Sequence, residues 1–269
     1  MDHGGAIAST HIFRFRSLRR AGRSLFGDRE RLQEVQDLRF SRLVFVGSRL
    51  SEGLTFGPVD PRRQMAMCVW ERESALDDFL ARSPIGRAWL SDTDEYCEVR
   101  MSAFGAYGTY RGYEPFADLR RGRPVPGPVA VWTFANIPPR GILHFWTSIR
   151  HAARKLMSSP GLVAGTAGPE HMYRGAMTFT IWDSVEHPTR FAYREQPHKD
   201  TVRRVREHEL LTDSMFVRMR PYAARGRWPS YSRFGGRFDA FVGELATREW
   251  ARPSQRMTAT LNRPVPSEP

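Results

Sequence analysis

The chain repeats itself. Glu98-Val99-Arg100-Met101 is followed by Ala106-Tyr107-Gly108, and Phe216-Val217-Arg218-Met219 by Ala224-Arg225-Gly226. Each is preceded by an apolar strand ending in Val69-Trp70 or Ile181-Trp182, then by a helical stretch carrying Phe79 or Phe191. The tryptophans lie 112 positions apart (182 − 70) and the Val-Arg-Met triplets 118 apart (217 − 99). The strand openings echo too, Ile12-Phe13-Arg14-Phe15 against Val131-Trp132-Thr133-Phe134. Self-similarity at a fixed spacing marks a duplicated structural unit, and few folds accommodate one.

Hydrophobic periodicity gives the content of each unit. Residues 1–10 read as a loose tail. His11-Ile12-Phe13-Arg14-Phe15 alternates with period two, as a half-buried strand does. A basic helical region over 17–38, an apolar run Leu43-Val44-Phe45-Val46, a strand over 65–70, a helix over 74–90 and a strand over 96–104 follow. Residues 111–128 hold Gly112, Pro115, Gly122, Pro124, Pro126, Gly127 and Pro128, which is linker composition. The second unit, 129–228, repeats the order. Its helix over 141–157 has the clearest pattern, with Ile142, Phe145, Trp146, Ile149, Ala153, Leu156 and Met157 on one stripe. The predicted architecture is α+β: two ferredoxin-like β-α-β-β-α-β units, 11–110 and 129–228, packed as a pseudo-dimeric α+β barrel in one chain. Residues 229–269 read as an extension with a short helix over 237–250 and a Pro- and Ser-bearing end.

The 269 residues are 41% hydrophobic and 26% charged, a globular composition, and no run reaches the roughly 18 apolar residues of a membrane span. The first residues lack the layout of a secretory signal. Cys68 and Cys97 fall on predicted strands without metal-type spacing and read as buried thiols. A cytoplasmic location is expected, with contact to a membrane only through an apolar substrate. The net charge of +12 raises nucleic acid as a partner. The arginines are scattered, however, and no zinc-finger, ribonucleoprotein or helix-turn-helix pattern accompanies them, so none is expected.

There is no P-loop or Rossmann glycine pattern, no His-Glu-x-x-His and no Gly-x-Ser-x-Gly. An enzyme built this way draws its reactivity from a cofactor. His144 and His151, seven apart on the strong helix, share a face but have no carboxylate spaced to join them. His198 stands apart. It follows Pro197, which can start a helical turn, and Val202 and Val205 continue its stripe four and seven residues on. An imidazole aimed between helix and sheet is either a hydrogen-bonded core group or a metal ligand. A lone histidine suits haem, which brings four nitrogens of its own.

Several segments resemble one family. Gly47-Ser48-Arg49-Leu50-Ser51-Glu52-Gly53-Leu54-Thr55-Phe56, Gly112-Tyr113-Glu114-Pro115-Phe116, Pro160-Gly161-Leu162 and Gly165-Thr166-Ala167-Gly168-Pro169-Glu170 are similar to segments of spheroidene monooxygenase-type proteins. So is the run from Ile181-Trp182 through His198, Val202-Arg203 and Arg206 to Phe216, Arg218 and Gly226-Arg227-Trp228. The resemblance implies a haem b monooxygenase of carotenoid or other secondary metabolism with a dimeric α+β barrel-like fold. It implies His198 as iron ligand, Val202 beside it, and Arg203 and Arg206 against the propionates. Met177, Phe179 and Ile181, or their alternates on the same strand, would meet an apolar substrate. An electron donor such as a ferredoxin and a homodimer are the further partners it implies. Glu207-His208-Glu209-Leu210 departs from the family pattern, as does Arg49 in the glycine-rich segment, which leaves the substrate open. Two alternatives stay beside this reading. One is a haem enzyme of non-oxygenase type, aldoxime dehydratase-like or acting on N–O bonds of a small nitrogenous metabolite. The other is a non-catalytic ligand-binding barrel with His198 in its core.

Overall fold

The structure is a computed structural model, which describes residues 6–47, 59–119, 126–171, 174–193, 210–228 and 235–247. The first half runs β1 (Ile7–Phe15), α1 (Leu18–Arg23), β2 (Leu38–Gly47), β3 (Val59–Trp70), α2 (Glu73–Arg82), α3 (Pro84–Ser91) and β4 (Thr93–Gly108). The second runs β5 (Val129–Asn136), α4 (Ile142–Met157), β6 (Leu162–Glu170), β7 (Gly175–Trp182), α5 (Glu186–Tyr193) and β8 (Asp213–Gly226), and α6 (Gly235–Thr247) follows.

Local chemistry sets the helix boundaries. Ser17 caps α1, its hydroxyl oxygen accepting from the Arg20 amide at 3.2 Å. From α1 the chain continues through a π turn (Ser24–Asp28) and a short α turn (Arg29–Arg31) into a 3-10 turn (Leu32–Glu34), all within the expected helical region. The helix expected over 74–90 is two helices. Pro84 drives Ser83 into an extended conformation (ψ 137°) and cannot donate to the preceding turn, so α2 ends there. Ser83 then caps α3 by accepting from the Ile85 amide at 3.2 Å.

All neighbouring strands are antiparallel, in the order β2-β3-β1-β4-β8-β5-β7-β6. Each half has the ferredoxin-like order, and the β4–β8 ladder joins the two into one eight-stranded sheet. The sheet curls until its edges meet. A Cβ on Gly168 of β6 would lie 1.6 Å from the Phe45 carbonyl oxygen of β2. Across the interior the Trp132 indole donates to the Thr10 hydroxyl at 2.8 Å, and the Phe40 and Phe134 rings meet at 5.7 Å. These pairs belong to strands that are not sheet neighbours, which only a curled sheet allows. The molecule is therefore the expected tandem α+β barrel. Its interior holds Ile12, Met65, Met67, Val99, Met101, Trp132, Phe134, Met177, Phe179, Ile181, Val217 and Met219, all buried. α6 adds Phe238, Phe241 and Leu245 to this core, and the Trp228 ring lies between Phe179 (6.2 Å) and Phe238 (5.2 Å). A second core sits between β1, β3 and helices α2 and α3, around Phe13, Phe15, Trp70, Phe79 and Trp89.

Two expectations need correction. The tail over 1–10 gives way to strand at Ile7, whose partners are Trp70 on β3 and Ser102 on β4. Ser9 and Thr10 look like tail residues, yet both are buried and their hydroxyls accept indole protons. The second correction is one of register. Thr10 stands opposite Met67 and Val99, and Trp132 opposite Phe179 and Val217. These pairs reproduce the offsets of 112 (179 − 67) and 118 (217 − 99), and they align the first strands at 122 (132 − 10). The expected match of Ile12 with Val131, at 119 (131 − 12), is three residues out. An odd shift exchanges the two faces of a strand, and β1 mixes apolar and polar residues on both, which hid the parity.

Candidate functional site

The aligned halves can be compared position by position on the sheet face that the helices cover. In the first half that face is filled. Phe13 stacks on Trp89 with centroids 5.1 Å apart, and Trp89 also meets Phe79 at 5.3 Å. His11 is fully buried beside them, Nδ1 3.0 Å from the Tyr96 hydroxyl and Nε2 2.9 Å from Ser9 Oγ, which also accepts from the Trp70 indole at 2.9 Å. The Tyr96 hydroxyl donates to Glu98 Oε2 at 3.0 Å, and Arg100 Nε donates to Glu98 Oε1 at 2.6 Å. Arg225 from β8 donates to the same carboxylate. Arg100 continues to Asp77 at 2.7 Å and Glu73 at 3.0 Å on α2. Burial pushes the His11 imidazole down to about 4, against the pull of Glu98. Burial would raise Glu98, but the charges of His11, Arg100 and Arg225 and the Arg100 hydrogen bond hold it at about 2. His11, Tyr96, Glu98, Arg100 and Arg225 are thus linked in one continuous set of hydrogen bonds.

The second half carries smaller side chains at the same places. By the offsets above, Phe13 corresponds to Ala135, His11 to Thr133, Gln64 to Ala176 and Tyr96 to Ser214. The ladders place Leu43 opposite Ala66 and Ala167 opposite Thr178, which makes Ala167 the counterpart of Leu43. Val131, Thr133 and Thr178 are partly exposed although they lie on the interior strands β5 and β7, whereas Ser9, His11 and Ala66 are fully buried. Phe216 and Arg218 of β8 stand beside them, opposite Thr133 and Val131. Three adjacent strands, β8, β5 and β7, thus present a partly exposed face of Val131, Thr133, Thr178, Phe216 and Arg218, about 10 Å between the outer two strands. α4 packs Phe145, Trp146 and Ile149 into the core, and α5 touches the face through Phe191, 6.1 Å from Trp182. Thr180 Oγ1 accepts the Trp182 indole proton at 2.9 Å.

Met177, Phe179 and Ile181 are brought together on β7 but on the opposite face. They pair with Phe134, Trp132 and Ala130 and are buried inside the barrel. Their alternates on the same strand, Thr178 and Thr180, lie on the helix-side face. His198, Val202, Arg203 and Arg206 lie outside the described residues, as do Ser48 to Phe56 of the glycine-rich segment and His208. His198 follows the end of α5, Tyr193, by five residues. His144 is exposed, and among the described residues no three His, Cys, Asp or Glu side chains gather as a metal site. Burial raises the thiols of Cys68 and Cys97, as expected of core residues. No described helix is long and apolar enough to cross a membrane. Sequence reasoning did not single out Val131, Thr133 and Arg218 on this face. The signal was there in the duplication, but it required the correct 122-residue offset.

Fold and site define a class: a tandem dimeric α+β barrel in which one half keeps an open face between sheet and helices. Within it, the chain resembles the spheroidene monooxygenases. It is 27% identical to spheroidene monooxygenase of Rhodobacter capsulatus over 226 residues, 82% of this chain and 92% of that one. It is 30% identical to that of Rubrivivax gelatinosus over 168 residues, 62% of this chain and 63% of that one. No family model matches. Among solved structures, aldoxime dehydratase aligns with a TM-score of 0.46 at 10% identity over 80% of this chain and 81% of its own. An anthrone oxidase-like protein aligns with a TM-score of 0.31 at 14% identity, covering 82% and 93%.

Proposed function

We propose that the chain is a haem-dependent monooxygenase that oxygenates a carotenoid or another apolar secondary metabolite, with the iron held by His198. One observation supports this most: the face of the second half that lies under α5, the helix leading to His198, is lined by small side chains. The residues present fit a planar macrocycle. Ala135, Thr133, Ala176 and Ala167 are smaller than their first-half counterparts Phe13, His11, Gln64 and Leu43, and Val131, Thr133 and Thr178 keep part of this face accessible.

Bound there, haem would supply the activation of dioxygen or peroxide. The chain's own part is positional. In this reading His198 would hold the iron, and Arg203 and Arg206 would neutralise the propionates. Val131 and Phe216 offer an apolar wall that excludes water and seats an apolar substrate. A neutral imidazole donates electrons more weakly than a thiolate, so a hydrogen-bond donor on the sheet side is required. Thr178 and Thr133 bring hydroxyls to that face. A ferredoxin-type donor would supply electrons, and a membrane-held substrate would bring the protein to a bilayer surface.

Hemin titration of the purified protein beside His198→Ala tests the reading. A stoichiometric Soret band that shifts or collapses in the variant is expected. A protein that stays without a saturable band, or a band indifferent to the substitution, would overturn it.

A further inference from the structure

Arg218 sits on the helix-side face of β8 opposite Val131, between Val217 and Met219, which turn into the barrel. It is partly buried, and among the described residues it has no hydrogen bond or ion pair. Its counterpart at the 118-residue offset is Arg100, which is held by Glu98, Glu73 and Asp77. The difference has an identifiable cause. Glu98, two residues before Arg100 on the same face, is replaced by Phe216, two residues before Arg218. Phe216 is 43% exposed, so it does not owe its place to core packing.

A partly buried guanidinium without a partner is an unfavourable arrangement, because it gives up hydration without gaining a counter-charge. Here it borders the open face of Val131, Thr133 and Thr178. We infer that Arg218 is an anion-binding residue of this site, kept unpaired so that a monoanionic group of the bound ligand becomes its partner. The chemistry is a carboxylate or a small inorganic anion at the sheet face, met by a charge-assisted hydrogen bond. Two sources supply such a group: a propionate of the porphyrin, or an anionic ligand on the open side of the iron. This inference rests on the proposed haem site for the identity of the ligand, but not for the unpaired charge.

Arg218→Gln and Phe216→Glu test it from opposite directions. Phe216→Glu rebuilds the pair that Glu98 and Arg100 make, with the arginine left in place. The thermal midpoint of the hemin-free protein should rise in Phe216→Glu, while ligand binding weakens in both variants. A merely structural arginine would not separate stability from binding in this way. Hemin, hemin dimethyl ester and fluoride on the hemin-loaded ferric protein are then titrated. At least tenfold weaker hemin binding with unchanged ester binding assigns Arg218 to a propionate. Unchanged hemin binding with at least tenfold weaker fluoride binding assigns it to the open side. Hemin and fluoride affinities that both match wild type in both variants overturn the inference. If wild type binds no hemin, the haem reading fails by itself. Formate stabilisation of the hemin-free protein then decides Arg218: stabilisation lost in both variants supports it, and stabilisation retained or absent in wild type overturns it.

Discussion

At the scale of single residues, His11 is the group whose protonation the fold opposes most plainly. It is fully buried, its two nitrogens are engaged, and its pKa falls to about 4 from an ordinary 6.5. A depressed histidine contributes stability that is fully present above the unfolded value and lost as pH falls towards the folded one. The window is therefore pH 6.5 down to 4, and the loss across it is about 3 kcal/mol. Glu98, held at about 2, adds a further loss only below the ordinary carboxylate range. Thermal midpoints measured from pH 7 to 4 should fall in wild type, and the fall should be shallower in His11→Gln. Equal slopes would remove His11 as the titrating group. None of this could be read from the sequence. His11 showed only as the opening of a strand, because its partners Tyr96 and Glu98 come from β4, more than eighty residues away.

At the scale of elements, the seam between β2 and β6 is the most exacting contact. Gly168 approaches the Phe45 carbonyl so closely that any side chain would push two backbones apart. Gly168→Ala should therefore destabilise by about 3 kcal/mol or more, read as a lower urea midpoint. An unchanged midpoint would mean that the edges do not meet as described. Near the same strand end, Glu170 is buried, accepts from the Tyr110 hydroxyl at 2.6 Å and pairs with Arg29, tying β6 to the first half. The elements themselves were largely legible. The apolar stripe of α4 gave its span to within a residue, and the Val-Trp and Ile-Trp pairs marked the ends of β3 and β7. The differences are local: Pro84 divides the helical pattern into α2 and α3, and β1 starts four residues before His11, its first residues being mostly small or polar.

At the scale of the whole molecule, the duplication carried the fold: the two units close the barrel by joining like strands, β4 to β8 and β2 to β6. It carried less of the site. Periodicity placed Met177, Phe179 and Ile181 on one face of β7 without saying which face, and the answer depends on Trp132 reaching Thr10 across the barrel. The difference between the halves makes its own prediction. Thr133→His copies the first half into the open face and should cut hemin affinity at least tenfold, with far-ultraviolet circular dichroism unchanged. Affinity equal to wild type would place the ligand elsewhere.

Phe13 and Ala135 occupy equivalent places, one filling its face with a ring and the other bringing a single methyl group. In a symmetric dimer of identical subunits every substitution is made twice, so a face cannot be closed on one side and kept on the other. Linking two copies in a single chain removes that constraint. One copy is then free to become a solid buttress with the aromatic weight of a protein core, and the other to carry smaller side chains on the same face. On this view the molecule is half scaffold and half receptacle, and it should take up one equivalent of a planar guest rather than two.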